Sequence, residues 1–238
     1  MDFSPLYISL KTAWLATIIT FILGIYAARF ICKLKKYQGF IDGIITLPLV
    51  LPPTVVGFFL LLFLGKNSFI GQFLAVFDIN IIFSWPATVI TAVVVSFPLM
   101  YRTTRGAFEQ IDKDLIFAAR TLGMSEEKIF WKIILPLAKS GILAGAILSF
   151  ARALGEFGAT IMLAGNIPGK TQTMSTAIYS AVQANDQETA FVWAGIIIVV
   201  SLMVMVLMNY WLKQQQKINS WGEVNGFRSG NKKILSWF

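Results

Sequence analysis

Arg152 and Glu156 stand four residues apart inside the apolar run from Gly141 to Gly165, and few residues in the chain are better placed to do chemistry. An isolated charge at the centre of a bilayer costs about 2.5 to 3.5 kcal/mol on insertion scales, so neither is expected to face lipid. On one helix face at this spacing the two can neutralise each other. Other chemical groups are scarce. The sequence holds no histidine and one cysteine, Cys32, which removes histidine metal sites, His-based triads, His proton relays and any intrachain disulfide. No paired carboxylates accompany them, so the group set that an intramembrane enzyme needs is missing. Gly165-Asn166-Ile167-Pro168-Gly169-Lys170-Thr171 has the look of a phosphate loop. It is one residue short of G-x-x-x-x-G-K-[ST] and contains Pro168, so ATP binding is not expected there.

The elements that must position these residues follow from composition. Of 238 residues 56% are hydrophobic and 13% charged, with a mean hydropathy of +0.70, where soluble domains carry about 25% charge. Spanning the hydrocarbon takes about 20 apolar residues per helix, and five such runs are present: Leu6 to Ile31, Ile41 to Leu64, Trp85 to Thr104, Gly141 to Gly165 and Phe191 to Leu212. The expected fold is an all-α polytopic membrane protein of about five transmembrane helices. Residues 1–212 form the transmembrane domain, with an insert at 105–140 between the third and fourth spans, and 213–238 form a basic tail.

Charge gives the orientation. Arg29, Lys33, Lys35 and Lys36 follow the first span. Arg102, Arg105, Lys113, Arg120, Lys128, Lys132 and Lys139 lie between the third and fourth, and Lys213, Lys217, Arg228, Lys232 and Lys233 follow the fifth, whereas the opposite loops hold Lys66 and Lys170. Sixteen against two places the N-terminus outside and the C-terminus in the cytoplasm of a multi-pass cell-membrane protein. The net charge of +8 is thus a topology signal rather than a sign of nucleic-acid binding, and the tail can also touch anionic headgroups. Met1-Asp2-Phe3-Ser4-Pro5 lacks a basic n-region, so the first run reads as a retained helix.

Helical periodicity is clearest in the insert. Leu115, Ala118, Ala119 and Leu122 recur at i, i+3, i+4 and i+7, forming a narrow apolar face on a helix that Asp112 can cap and Gly123 can end. Ser125 is placed to cap a second helix, with Glu126 and Glu127 at its positive end and Ile129, Phe130 and Ile133 on its apolar side. Two readings stand: a short hairpin lying on the headgroups, or a knob that enters a groove on another protein, where small residues allow close approach.

Phe117-Ala118-Ala119-Arg120-Thr121-Leu122-Gly123, followed after nine residues by Ile133-Ile134-Leu135-Pro136, resembles the coupling loop of binding-protein-dependent ABC importer permeases. That signature runs Glu-Ala-Ala, three residues, Gly, nine residues, Ile-x-Leu-Pro. Ala118, Ala119, Gly123, Ile133, Leu135 and Pro136 stand in its positions, and Phe117 replaces its leading Glu. Three longer blocks, Thr46 to Gly57, Ser96 to Met100 and Phe150 to Thr160, together with Gly165 to Thr171, look like molybdate permeases. Tungstate and sulfate permeases are near relatives with similar tetrahedral dianions.

The resemblance implies a permease subunit of an ATP-driven importer that translocates molybdate. It pairs with a second copy of itself, docks Leu115, Ala118, Ala119, Leu122, Gly123, Ile133, Leu135 and Pro136 on two ABC ATPase subunits, and receives its cargo from an extracytoplasmic molybdate-binding protein. It implies no cofactor bound by this chain, with ATP and Mg on the ATPase partner. Bottom-up, Pro48, Pro52 and Pro53 remove backbone donors, so the second span is expected to kink or unwind. That break is either a static kink or part of a pathway containing Pro52, Pro53 and Thr54. Ser149, Arg152, Glu156 and Thr160 are the candidates from the fourth span. Arg152 can attract the oxyanion while Glu156 orients it or controls a gate, although a carboxylate repels a dianion. The different-class alternative is an ion-coupled secondary transporter, which more often shows internal repeats and several intramembrane acids or histidines. Gly141-x-x-x-Gly145 has the spacing of a helix-packing motif.

Overall fold

The computed structural model describes residues 2–34, 36–78, 80–207 and 210, and among them it is helical, with no strand. In chain order the helices are α1 Ser4–Lys33, α2 Gln38–Val50, α3 Pro53–Leu64, α4 Phe69–Val76, α5 Trp85–Glu109 and α6 Lys113–Thr121. They continue with α7 Glu126–Leu137, α8 Lys139–Leu154, α9 Gly158–Leu163, α10 Met174–Gln183 and α11 Gln187–Leu207. The centre is a three-helix unit in which α1 packs on both α5 and α8, while α2 leans on α5 and α3 on α9.

Small residues set how closely these helices approach, because apolar side chains gain little from leaving lipid and packing must supply the attraction. A Cβ added at Gly141 would lie 2.5 Å from the Cβ of Ala107 on α5, and one at Gly145 would lie 3.1 Å from Met100 Sδ. The Gly141-x-x-x-Gly145 stripe is therefore the seam between α8 and α5. Polar stitches reinforce it: Ser149 Oγ donates to the Ser96 carbonyl at 3.3 Å, and Thr12 and Thr88 hydroxyls meet at 3.0 Å between α1 and α5. Lys11, a cation inside the first apolar run, rests its ammonium 3.9 Å from the ring centroid of Trp85 at the start of α5.

Two helix pairs are bent. α2 and α3 meet at 111°. Leu51 precedes Pro52 and Pro52 precedes Pro53, and a residue before proline is pushed out of the helical region. Leu51 and Pro52 accordingly have ψ of 141° and 136°. α7 and α8 meet at 69°. Here Phe130–Ile134 form a π turn, with the Leu135 N–H reaching back to the Phe130 carbonyl, a wider turn ahead of Pro136, which has no N–H to give.

The run from Gly141 to Gly165, expected as one span, is divided. α8 stops at Leu154 with Gly155 as its cap, and α9 begins three residues after Gly155, where the Glu156 carboxylate accepts the Ala159 N–H at 2.8 Å. α11 starts at Gln187, ahead of the expected Phe191, because Asp186 Oδ1 accepts the Thr189 N–H at 3.1 Å. The tail at 213–238, with Lys213, Lys217, Arg228, Lys232 and Lys233, lies outside the described residues.

Candidate functional site

The insert builds itself from local bonds. Asp112 Oδ1 accepts the Asp114 N–H at 2.9 Å and starts α6. At its end the Gly123 N–H bonds the Arg120 carbonyl at 2.9 Å and the Met124 N–H bonds the Ala119 carbonyl at 3.1 Å. These are the paired bonds of a glycine cap, and Gly123 has the positive φ of 76° they require. Ser125 Oγ accepts the Lys128 N–H at 3.4 Å and starts α7. Arg120 forks onto Glu126 at 2.6 and 3.2 Å, fixing the angle between the two helices. These hydrogen bonds hold the Glu126 carboxyl below, and the Arg120 guanidinium above, their ordinary values.

Side-chain directions divide the eight residues that the sequence grouped as a docking surface. Leu115, Ala118, Leu122 and Gly123 are exposed, Leu122 at 82%, and Phe117 joins them at 55%. Ala119 turns inward and is 4% exposed, so it packs the hairpin rather than presenting itself. Ile133 and Leu135 are half-buried, and Leu135 packs on the cluster of Ile25, Ala28, Ile31, Met100 and Tyr101. Pro136 is exposed in an apolar groove beside Phe21, Ile22 and Trp131. The reason is position on α7: Ile133 lies one turn beyond the buried Ile129, on the inward side of a helix separate from α6. The structure thus gives a knob on α6 and a root on α7.

That root is firm. Ile129 and Phe130 are buried. The Phe130 ring meets Phe108 edge-on with centroids 5.8 Å apart, the Arg29 guanidinium lies 4.0 Å from its centroid, and Arg29 also pairs with Glu127. Through these contacts α7 is fixed to both α1 and α5.

The second candidate region is where the two broken spans meet. A Cβ at Gly57 would lie 2.8 Å from Ala159 Cα, and one at Gly158 would lie 3.0 Å from Pro53 Cβ and 3.2 Å from Thr54 N. The start of α3 therefore lies against α9, which brings Pro53 and Thr54 to Gly158, the first residue of α9. Pro52 and Thr54 are exposed. Thr160 and Ser149 are both buried and committed to neighbours, Thr160 to the Thr91 hydroxyl at 3.0 Å and Ser149 to α5.

Arg152 Nη1 sits 2.6 Å from Glu156 Oε2, with Glu156 2% exposed and Arg152 29%. The other carboxylate oxygen caps α9. Oε2 has the ion pair but no aligned hydrogen bond. Glu156 is thus counter-ion and cap at once, and the geometry favours the structural pairing over an anion clamp.

In the loop after α9, the amides of Lys170, Thr171 and Gln172 all turn to the Ile167 carbonyl at 2.9 to 3.1 Å. They serve the loop itself, and Gly165 and Gly169 supply its positive φ values of 69° and 72°. One cluster escaped the sequence reading. Asp42 Oδ1 accepts from Tyr101 Oη at 2.8 Å and from Arg105 Nη1 at 2.7 Å, and Arg105 Nε reaches Glu109 at 2.7 Å. An acid just inside an apolar run was its signal, since such a group needs a named partner.

Comparison with known proteins agrees with this architecture. The family model described as "binding-protein-dependent transport system inner membrane component" matches residues 20–217. The molybdenum transport system permease protein ModB of Haemophilus influenzae is 40% identical over 227 residues, covering 94% of this chain and 99% of the relative. The protein of the same name from Escherichia coli K12 is 41% identical over 213 residues, covering 89% and 93%. Among solved structures, a bacterial ABC transporter that imports the acidic polysaccharide alginate superposes with a TM-score of 0.75 at 18% identity. That alignment covers 89% of this chain and 78% of the other, and at that identity it speaks for the fold alone. A multi-pass bundle with an inserted, capped hairpin and a model match over most of its length make this chain a member of the binding-protein-dependent transport system inner membrane component family, the permease subunits of ABC importers.

Proposed function

We propose that this chain is the permease of an ATP-driven molybdate importer. The observation that carries the reading is the 40 and 41% identity to molybdenum transport permeases over nearly the whole of both chains. Two copies would enclose the pathway, two ABC ATPase subunits would grip the exposed α6 knobs from the cytoplasm, and an extracytoplasmic binding protein would deliver the anion. The N-terminus lies outside in this reading. ATP and Mg belong to the ATPase subunits, and this chain does no covalent chemistry.

Mechanically, the site divides the work. ATP-driven closure of the partner subunits moves Leu115, Ala118, Phe117 and Leu122, and the buried Phe130 root carries that motion into α5 and α8. The anion passes beside the break of α2 and α3, where Thr54 is exposed and the backbone between two prolines is irregular. Tight binding is left to the external partner, because a pathway must release what it accepts.

The test is uptake of labelled molybdate at nanomolar concentration in cells with and without this chain, with tungstate and sulfate as competitors. Loss of an uptake that excess sulfate leaves intact is expected, and the tungstate arm measures the separation between those two anions. Unchanged uptake in a strain with no second importer would discard molybdate as the cargo.

A further inference from the structure

Arg102 on α5 and Arg152 on the facing helix α8 are in opposite states. Arg152 is neutralised by Glu156 at 2.6 Å. Arg102, on a helix apolar enough to span a membrane, is exposed and has no ion-pair partner among the described residues. It opens onto a cavity of about 600 Å³ between the cytoplasmic ends of α5 and α8, with Thr103, Gln110, Asp112, Ser140 and Gly141 also in its wall.

The seam fixes the relative heights of the two arginines. Ser149 bonds Ser96 across it. Arg152 is three residues beyond Ser149 in one direction, and Arg102 is six residues beyond Ser96 in the other. At 1.5 Å per residue the two levels are roughly 13 Å apart along the bundle. Arg152 also continues the stripe of Gly141 and Gly145 that α8 turns toward α5.

We infer that Arg102 and its cavity form an exit site for the departing tetrahedral oxyanion, a weak stop between the level of Arg152 and the cytoplasm. This rests on the reading of the chain as an oxyanion permease. Arg102 supplies a planar set of charged donors suited to an oxyanion, and the Gln110 amide and Ser140 hydroxyl add neutral ones. The Thr103 proton is already given to the Leu99 carbonyl at 2.8 Å. Asp112 in the same wall is tied to the start of α6, and its negative charge opposes retention of a dianion. One cation against one nearby acid makes a site that attracts and releases.

The experiment uses the full transporter, permease with its ATPase and binding protein, in proteoliposomes, reading molybdate uptake and ATP hydrolysis together. Arg102→Gln is expected to lower uptake about tenfold, the low end of the range over which a charged cleft raises local ion concentration, while stimulated hydrolysis stays within twofold. Arg102→Lys is expected to recover more than half of the uptake. Ser140→Asp places an acid in the cavity at the start of α8, where the helix dipole favours it and folding is retained; it is expected to reduce uptake at least as much. Uptake at the wild-type level in Arg102→Gln or, should that variant not assemble, in Ser140→Asp would overturn the exit site and leave the permease reading intact. Wild-type vesicles that take up none of molybdate, tungstate and sulfate would overturn the oxyanion reading and the exit site with it.

Discussion

The elbow between α7 and α8 and the elbow between α2 and α3 both turn at prolines, yet they are anchored in opposite ways. Around the first, Ile129 is buried, and Phe130, Ala138 and Ile142 are buried in a core shared with α1 and α5. In the second, α2 buries none of its residues. It reaches the same core only through the half-buried Ile41 and Ile45 and is tied to α5 by the polar cluster of Asp42, Tyr101 and Arg105, while α3 is held by the close backbone approach of Gly57 to Ala159. Packed cores are bistable and transmit displacement, whereas loosely packed elements open at low cost. In the mechanism proposed above, the first elbow would be the lever and the second the flap, and a machine that converts a cytoplasmic push into a membrane opening needs both.

The lever is broken most completely at its tip. Gly123→Asp puts a carboxylate at a positive-φ position on the exposed knob. It is expected to leave the protein inserted but to abolish ATPase association and uptake; co-purification and uptake at equal protein level check it, and normal uptake would rule out the docking role. Gly123→Ala, whose cost at this left-handed position is about 1 to 2 kcal/mol, should retain most of the activity.

The flap is broken at Gly57. In Gly57→Leu the added Cβ meets backbone atoms of Ala159 at 2.8 and 2.9 Å, which cannot step aside as a side chain can. Uptake should fall tenfold or more, a loss of about 1.4 kcal/mol or greater in transport barrier, while the ATPase subunits still co-purify. If they are lost as well, the two elbows are not mechanically separate.

A third variant probes the root. Phe130→Ala removes a buried ring, a change that costs about 3 to 5 kcal/mol in well-packed cores. The exposed knob is untouched, so ATPase binding should persist while hydrolysis no longer drives uptake.

The smallest effect is expected from Glu126→Gln, which loses the fork to Arg120. Both groups are about half exposed, so the pair is screened and uptake should stay within twofold. Its pH dependence has a definite sign. Because the Glu126 carboxyl is depressed by its hydrogen bonds to Arg120, the pair's contribution is present above the ordinary carboxylate value and is lost as pH falls through the depressed one. Hydrogen exchange across α6 and α7 should show that loss in the wild type and none in Glu126→Gln.

The two regions also differ in how well the sequence announced them. The hairpin was legible because its signals are local: Asp112, Gly123 and Ser125 act within four residues of themselves. Which side of it faces outward was not. Ala119 and Leu135 fit the apolar pattern equally as knob or root; Ala119 proves buried, and for Leu135 packing on the cluster of Ile25 and Met100 decides. Pro52 and Pro53 announced a break, since proline restricts its own predecessor. The division of the fourth run was hidden, because Gly155 and Glu156 read as an ordinary helix until the Ala159 amide claims the carboxylate. The Asp42 cluster joins residues 59 and 63 positions apart, beyond the reach of any periodicity.

The central claim is that the α7–α8 elbow moves as a rigid lever while α2 yields. The direct measurement is a pair of spin-label distances within one labelled protomer of the assembled transporter, with and without ATP. One pair joins the exposed Lys128 on α7 to Ala144 on α8, and the other joins Gly39 on α2 to Gly106 on α5. The account predicts a Lys128–Ala144 distance that is unchanged by ATP and a Gly39–Gly106 distance that shifts by several ångströms. A shift confined to Lys128–Ala144, with α2 fixed against α5, would contradict it.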